Sequence, residues 1–312
     1  MTRARLEADL ILGFVSFIWG STFVVVKDAL AEASPLVFLL LRFSLATVVL
    51  LLVLGRGAGL RQPGLARAGL FTGVFLAAGY IFQTIGLQYT TPAKSAFITG
   101  LSVPLVPVLL AIFFGRRIRI WTATGVVVAV AGFYFLTIPE SQFAINRGDL
   151  LTIFCAVAFA GQIIAVGHFA PRFSYAALGI AQIIAALVLT TVALPTAHWT
   201  CLEAAALAWS GRLALAVVIT GVFATALAFS AQAWAQRYTS PTHTAILFSL
   251  EPVFAALTSY VVHGEQLGGR SLWGAALILT GILVVEFKGP RPTAAEWPVP
   301  GPSPEHTHSD GS

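Results

Sequence analysis

Charge is what this chain has least of. Asp, Glu, Lys and Arg make up only 10% of its 312 residues, against 57% hydrophobic residues and a mean hydropathy of +0.87. A soluble domain carries roughly 25% charged residues. The polar surface here could not cover a globule, so lipid must be the solvent for much of the chain. The net charge is +5, but its excess is scattered over short segments. Phosphate recognition needs Lys and Arg clustered on one face, so no nucleic-acid partner is expected. Cysteine is almost absent: Cys155 lies in an apolar run and Cys201 in an expected loop. Two thiols so placed make neither a disulfide framework nor a thiolate metal site. The phosphate-cradling G-x-x-x-x-G-K-[ST] motif is missing, so ATP is not the direct energy source. There is also no H-E-x-x-H helix and no intramembrane pair of aspartates. Catalysis and cofactors are therefore not expected.

What is present is a series of bilayer-length apolar stretches, about 17–25 residues each. They run over 10–26, 35–54, 66–87, 95–114, 121–138, 149–167, 175–194, 213–234, 242–262 and 271–287. The spacing predicts an all-α integral membrane protein of ten transmembrane helices. Strands of a membrane barrel would be half as long and would alternate in polarity. Arg3 and Arg5 followed by an apolar run, with Ala29-Leu30-Ala31 beyond, resemble a signal peptide. The run is longer than a usual signal core, and Lys27 and Asp28 interrupt it, so it is expected to stay as the first span.

Positive charge predicts the orientation. With the N-terminus inside, the inner segments hold Arg3, Arg5, Arg56, Arg61, Arg67, Arg116, Arg117, Arg119, Arg172, Arg237, Lys288 and Arg291. The outer segments hold only Lys27, Lys94, Arg147, Arg212 and Arg270. Both termini are then cytoplasmic. Residues 1–9 form a short cytoplasmic lead. The tail 289–312, rich in Pro and polar residues, cannot bury a core and is expected to be disordered.

The chain repeats itself. "QYTTPAKSAF" at 88–97 aligns with "RYTSPTHTAI" at 237–246, an offset of 149 that also pairs Leu101 with Leu250, Gly115 with Gly264, Gly125 with Gly274 and Gly132 with Gly281. Nearer the start of each half the offset is 140, pairing Asp9 with Asp149, Trp19 with Phe159 and Arg42 with Gln182. Two repeats result, 10–138 and 149–287, each with five spans. Five is odd, so the second copy enters the membrane upside down. Inverted repeats are a mark of secondary transporters, whose halves rock about a site near the midplane.

Four stretches carry a family resemblance: "FIWGSTFVVVK" (17–27), "LLLRFSLATVVL" (39–50), "TTPAKSAFITGLSVPLVPVL" (90–109) and "TSPTHTAILFSLEPVFAALTSYVVHGEQL" (239–267). Together they resemble the EamA family of the drug/metabolite transporter superfamily, over about residues 10–287. Where the second repeat reads Gly264-Glu265, the first reads Gly115-Arg116-Arg117, while many members are acidic there. The resemblance implies a ten-helix inner-membrane carrier, commonly an exporter of amino acids, other metabolites or toxic compounds.

Candidate residues follow from polarity at depth. Glu251, beside the helix breaker Pro252, stands near the middle of the ninth span. A charge there costs about 2.5–3.5 kcal/mol, so it is expected to face a wet cavity, a substrate ammonium or a coupling proton. A carboxylate hydrogen-bonded across helices is the alternative. Gln83 and Gln232 occupy matching positions in the third and eighth spans, and Tyr80 lies one helical turn before Gln83. With Gln162 of the sixth span they are expected to line a central cavity. Trp19, followed by Gly20, is placed there too, with packing as the alternative. Arg42 lies seven residues beyond Pro35, about 10 Å into the bilayer. It is expected to snorkel outward, or else to pair with Glu251 or a substrate carboxylate. Lys94 and His243, matched across the repeat, are expected to be solvated or to gate; Asp149 and Glu286 read as helix-end charges. The partners are a small-molecule substrate, the bilayer and, if transport is coupled, protons. The whole reads as a secondary carrier exporting a small organic metabolite by alternating access. A multidrug exporter of the same fold, a channel and a lipid-modifying enzyme are the alternatives.

Overall fold

A computed structural model describes residues 3–115, 117–137, 147–199, 205–264 and 268–288 of the chain. The tail, Cys201, Arg116 and the side chain of Glu286 lie outside the described residues. The described chain is helical throughout: α1 (Arg3–Ala29), α2 (Pro35–Leu54), α3 (Leu65–Tyr89), α4 (Pro92–Gly100), α5 (Ser102–Phe114), α6 (Ile120–Thr137), α7 (Arg147–Phe169), α8 (Tyr175–Trp199), α9 (Gly211–Val218), a π-helix (Ile219–Leu227), α10 (Ala228–Ala235), α11 (Pro241–Phe248), α12 (Glu251–His263) and α13 (Gly269–Lys288). No strand forms among the described residues; a single bridge joins Ala33 to Leu207.

Eight helical runs are long and apolar enough to cross a membrane, and two shorter apolar helices span Ile120–Phe135 and Leu272–Val284. Their outer faces carry bare hydrophobes: Leu52 is 77% exposed, Phe113 73% and Val261 78%. Water would not tolerate a continuous belt of that kind, whereas hydrocarbon does.

Two helical runs are broken in the same way. Thr91 Oγ1 accepts from the Lys94 backbone N–H at 3.2 Å, and Pro92 opens α4, whose missing N–H costs nothing in a first turn. Ser240 Oγ accepts from the His243 N–H at 3.2 Å, and Pro241 opens α11 likewise. Each half-helix then stops about three turns on, at Leu101 and at Ser249-Leu250. Leu101 N–H turns back to Ile98 O, and Leu250 N–H to Leu247 O, both at 3.1 Å. Pro104 and Pro252 stand just beyond these stops and cannot donate into a continuous ladder. α5 and α12 resume the run and end at Gly115 (φ 62°) and Gly264 (φ 66°).

Helix pairing sets the frame. α6 packs along α13, α3 lies against α7 and α8, and α1 lies against α12 and α10. The α6–α13 contact is reciprocal. A Cβ on Gly132 would lie 2.7 Å from Gly274 O and Ile278 N, and one on Gly281 would lie 2.6 Å from Gly125 O and 2.9 Å from Ala129 N. These positions exchange under the 149-residue offset. Because the obstacles are backbone, they cannot swing aside. Gly132→Val should therefore cost about 1–3 kcal/mol by overpacking. The expected result is a loss of monodisperse protein on size-exclusion chromatography in detergent. Gly13→Ala, where nothing lies within 4 Å, should behave as wild type.

At one end of the bundle the α1–α2 turn is tied to the segment before α9. Ser34 N–H donates to Ala206 O at 2.9 Å, Ala208 N–H donates to Glu32 O at 2.7 Å, and the Ser210 hydroxyl donates to the Glu32 carboxylate.

Candidate functional site

The cavity lies where the broken helices meet α1, α2, α3, α7 and α10. The breaks expose Gly100, Ser102 and Glu251 to it, and α1 adds Trp19 and Thr22. Arg42 comes from α2, Tyr80 and Gln83 from α3, Thr99 from α4, and Gln162 from α7; Phe159, Phe229 and Phe248 give apolar wall. The cavity volume is about 50 Å³. One water needs ~10–15 Å³, so in this conformation the cavity is closed down to room for a few waters.

Glu251 is the first residue of α12, where its side chain leaves the broken backbone toward the cavity. α1 crosses it closely because Gly20 has no side chain: a Cβ there would run into the Glu251 carbonyl oxygen and lie 2.8 Å from the Phe254 Cβ. Among the described residues the Glu251 carboxylate has no hydrogen bond and no ion pair. It is the cavity's acidic group and it faces aromatic wall.

Arg42 does not snorkel. It is 3% exposed, and its guanidinium is turned inward over the Tyr80 ring at 4.1 Å. Its Nε donates to Thr225 Oγ1 at 2.6 Å, and one terminal nitrogen donates to Tyr80 Oη at 2.7 Å and to Ala224 O at 3.3 Å. The physical reason lies in the π-helix. Thr225 donates back to Thr220 O, five residues earlier, at 2.8 Å, and the wide turn presents the Ala224 carbonyl sideways. Trp19 uses the same carbonyl, its indole N–H donating at 2.8 Å. Arg42 therefore does not pair with Glu251; no ion pair joins them among the described residues.

Trp19 packs on Phe229 and Phe248, with ring centroids 5.1 and 4.8 Å away. Gln83 lines the cavity and donates to Thr99 Oγ1 at 3.2 Å. Gln162 lines the cavity and Gln232 does not. Gln232 is fully buried behind it, in a chain of amides. It donates to Gln162 at 3.1 Å and to Gln236 at 2.9 Å, and Gln236 donates to Ile163 O at 2.9 Å. Gln162 in turn donates to Gln182 at 3.1 Å. Such a chain fixes the rotamer of the amide facing the cavity, although the Gln182 amide nitrogen is buried without a partner.

Sequence reasoning did not single out Thr225, the Ala224 carbonyl or Thr99. Thr99 had a signal, since it stands two residues before the aligned break at Leu101. The π-helix had none that composition could give. Cys155 is fully buried, 3.7 Å from Thr99 Oγ1. No group of three or more His, Cys, Asp or Glu side chains suited to a metal forms among the described residues.

Known proteins place this architecture. The model of the EamA-like transporter family matches twice, over residues 7–138 and 146–287. A transporter of Archaeoglobus fulgidus is 35% identical over 284 residues, covering 91% of this chain and 87% of that protein. The inner membrane transporter YedA of Escherichia coli K12 is 26% identical, covering 86% and 85%. A chloroplastic WAT1-related protein of Arabidopsis thaliana is 26% identical over 87% and 67%. One solved crystal structure superposes with a TM-score of 0.73 at 23% identity, over 91% of this chain and 97% of that one, a likeness of fold. With both halves matched and relatives named as transporters, the chain belongs to the EamA-like transporter family, a multi-pass membrane transporter and not an enzyme.

Proposed function

We propose that the chain is a secondary carrier that exports a small organic molecule bearing an ammonium group, with amino acids the first class to test. The observation that carries this reading is the Glu251 carboxylate, which faces the central cavity with no protein partner among the described residues. An unpaired acid at membrane depth is costly unless a cation or a proton joins it. Arg42, Gln83 and Gln162 add donors and acceptors on the other walls, suiting a solute with a polar end opposite its amine. Trp19 and Tyr80 complete the wall that would hold it. Gln232 acts one layer back, through Gln162.

The carrier is read as ten spans in two inverted five-helix repeats, 10–138 and 149–287. Two family matches, the paired breaks and the reciprocal Gly132–Gly281 contacts all support a two-fold relation between the halves. The arginine bias supports cytoplasmic termini, and the likeness to an inner membrane transporter supports the inner membrane. Export of flat cationic toxic compounds by the same cavity is the second reading, favoured by the aromatic walls around Glu251.

Liposome flux tests the carrier. Uptake should saturate with substrate and show counterflow when cold substrate is trapped inside. Flux that rises linearly without counterflow would make the protein a channel. A panel of toxic amino-acid analogues and cationic drugs, scored for resistance in an overexpressing host, separates the two substrate readings. Resistance to neither class would remove export.

A further inference from the structure

Two acid–base pairs stand outside the cavity, and the repeat relates them. Asp149, near the start of α7, holds Lys94 of α4: Oδ2 to Nζ is 2.6 Å, with the Asp149 side chain 2% exposed. Its other oxygen accepts from Thr90 Oγ1 at 3.0 Å. Asp9, near the start of α1, holds His243 of α11, with Oδ1 to Nε2 at 2.9 Å and both side chains largely buried. Asp9 and Asp149 are matched at the 140-residue offset, and Lys94 with His243 and Thr90 with Thr239 at 149. The same trio therefore occurs twice, and each time it joins one half of the chain to the other.

The two trios are not equally made. Thr90 closes the first onto Asp149. In the second, the matched Thr239 hydroxyl and the outer oxygen of Asp9, Oδ2, are both buried without a partner. A buried acceptor and a buried donor left apart are a net cost that closer approach would remove. Both carboxylate oxygens of Asp149 are thus bonded within its trio, and one oxygen of Asp9 is not.

Position gives these pairs a task. Lys94 and His243 each sit in the first turn of a half-helix, α4 or α11, whose far end is the break lining the cavity. Lys94 to Ser102 and His243 to Glu251, the cavity-lining residues just past each break, are each eight residues apart, about 12 Å along a helix. At Leu101 and at Leu250 the backbone N–H turns back three residues, so the half-helix meets α5 or α12 at a tightened turn where a change at the pair can be taken up.

We propose that Asp149–Lys94–Thr90 and Asp9–His243–Thr239 are the two gate latches of the transport cycle. They close opposite ends of the cavity, open in turn, and the Asp9 latch is the weaker in the conformation described. The assignment rests on the carrier reading and on the proposed inversion of the halves, which puts the two latches at opposite faces.

The test reads gate opening without any substrate. Cys155→Ser and Cys201→Ser remove the native thiols, and Ser102→Cys reports from the cavity wall. A membrane-impermeant maleimide is applied to right-side-out and to inverted vesicles. The starting protein should label faster from the Asp9 face. Asp149→Asn should raise labelling from the Lys94 face at least about fivefold and leave the other face unchanged; Asp9→Asn should do the converse. Thr90→Val should raise the Lys94 face, while Thr239→Val, which loses no bond, should change neither. The swap Asp149→Lys with Lys94→Asp should return labelling to the starting level, which separates a latch from a folding defect. Equal rises at both faces, or no rise, would overturn the proposal. No rise beside saturable flux removes the latches alone; face-selective labelling without flux removes the carrier reading alone.

Discussion

Glu251→Gln should lower transport of an ammonium-bearing substrate about ten- to a hundredfold, the range that losing a charged hydrogen bond of ~1.5–3 kcal/mol implies. The fold should not suffer. The carboxylate has no protein partner among the described residues, so the amide orphans nothing. Removing a charge from membrane depth also relieves part of a cost of about 2.5–3.5 kcal/mol. Thermal unfolding in detergent should therefore give a midpoint equal to or above that of wild type, while liposome flux collapses. A carboxylate kept for structure predicts the reverse pair of results, with the midpoint falling and residual flux following the folded fraction. If Glu251 also carries a coupling proton, the pH dependence of flux should flatten in the Gln variant. Wild-type flux with unchanged pH dependence would sink both the binding and the coupling role.

The second large effect concerns Arg42, and it turns on a comparison of substitutions. Arg42→Lys keeps the charge but loses the planar fork, and one ammonium cannot reach Thr225, Tyr80 and Ala224 from that backbone position in the same way. Arg42→Met removes the charge and keeps most of the volume. Two of the three acceptors stay satisfied without Arg42, because Thr225 still donates to Thr220 O and Ala224 O still accepts from Trp19. Replacing a well-held buried ion by an apolar side chain is commonly neutral or stabilising, whereas a buried charge with broken partners is costly. The Met variant should melt within about 1 kcal/mol of wild type, and the Lys variant should lose about 2–4 kcal/mol. Both should lose about tenfold or more in transport, since Tyr80 and the cavity wall lose their anchor. If flux and expression are unchanged in both, Arg42 has no part in transport.

How much of this was legible in the sequence follows from which forces are local. Apolar run length and the helix break marked by Pro252 depend on backbone chemistry within a turn, and each run is helical where described. The aligned glycines at 132 and 281 were visible as packing positions. Their reciprocal contact needed three dimensions. Arg42 could be placed at depth from its distance to Pro35, but not its direction. Direction depended on a π-turn in "ITGVFATAL", whose residues are equally at home in an α-helix. Gln232 carried the same polarity signal as Gln162, and only the order of helices decides which amide faces the cavity. Lys94 and His243 were recognisable as repeat mates. Their pairing with Asp149 and Asp9 crosses between halves, and alignment within one chain does not reveal crossings.

The reciprocal contact of α6 with α13 has a bearing on how such a machine can move. Under the proposed inversion of the halves, exchange maps the backbone of this contact onto itself, with Ile278 answering to Ala129. It can then hold the bundle together and act as a fulcrum, yet favour neither facing state. Any preference must come from pairs that exchange breaks: Lys against His, Thr90 engaged against Thr239 not, a carboxylate at Glu251 against Ser102. In the proposed carrier the near-symmetric seam would weigh the two facing states almost equally, and the unmatched residues would set which of them is favoured at rest.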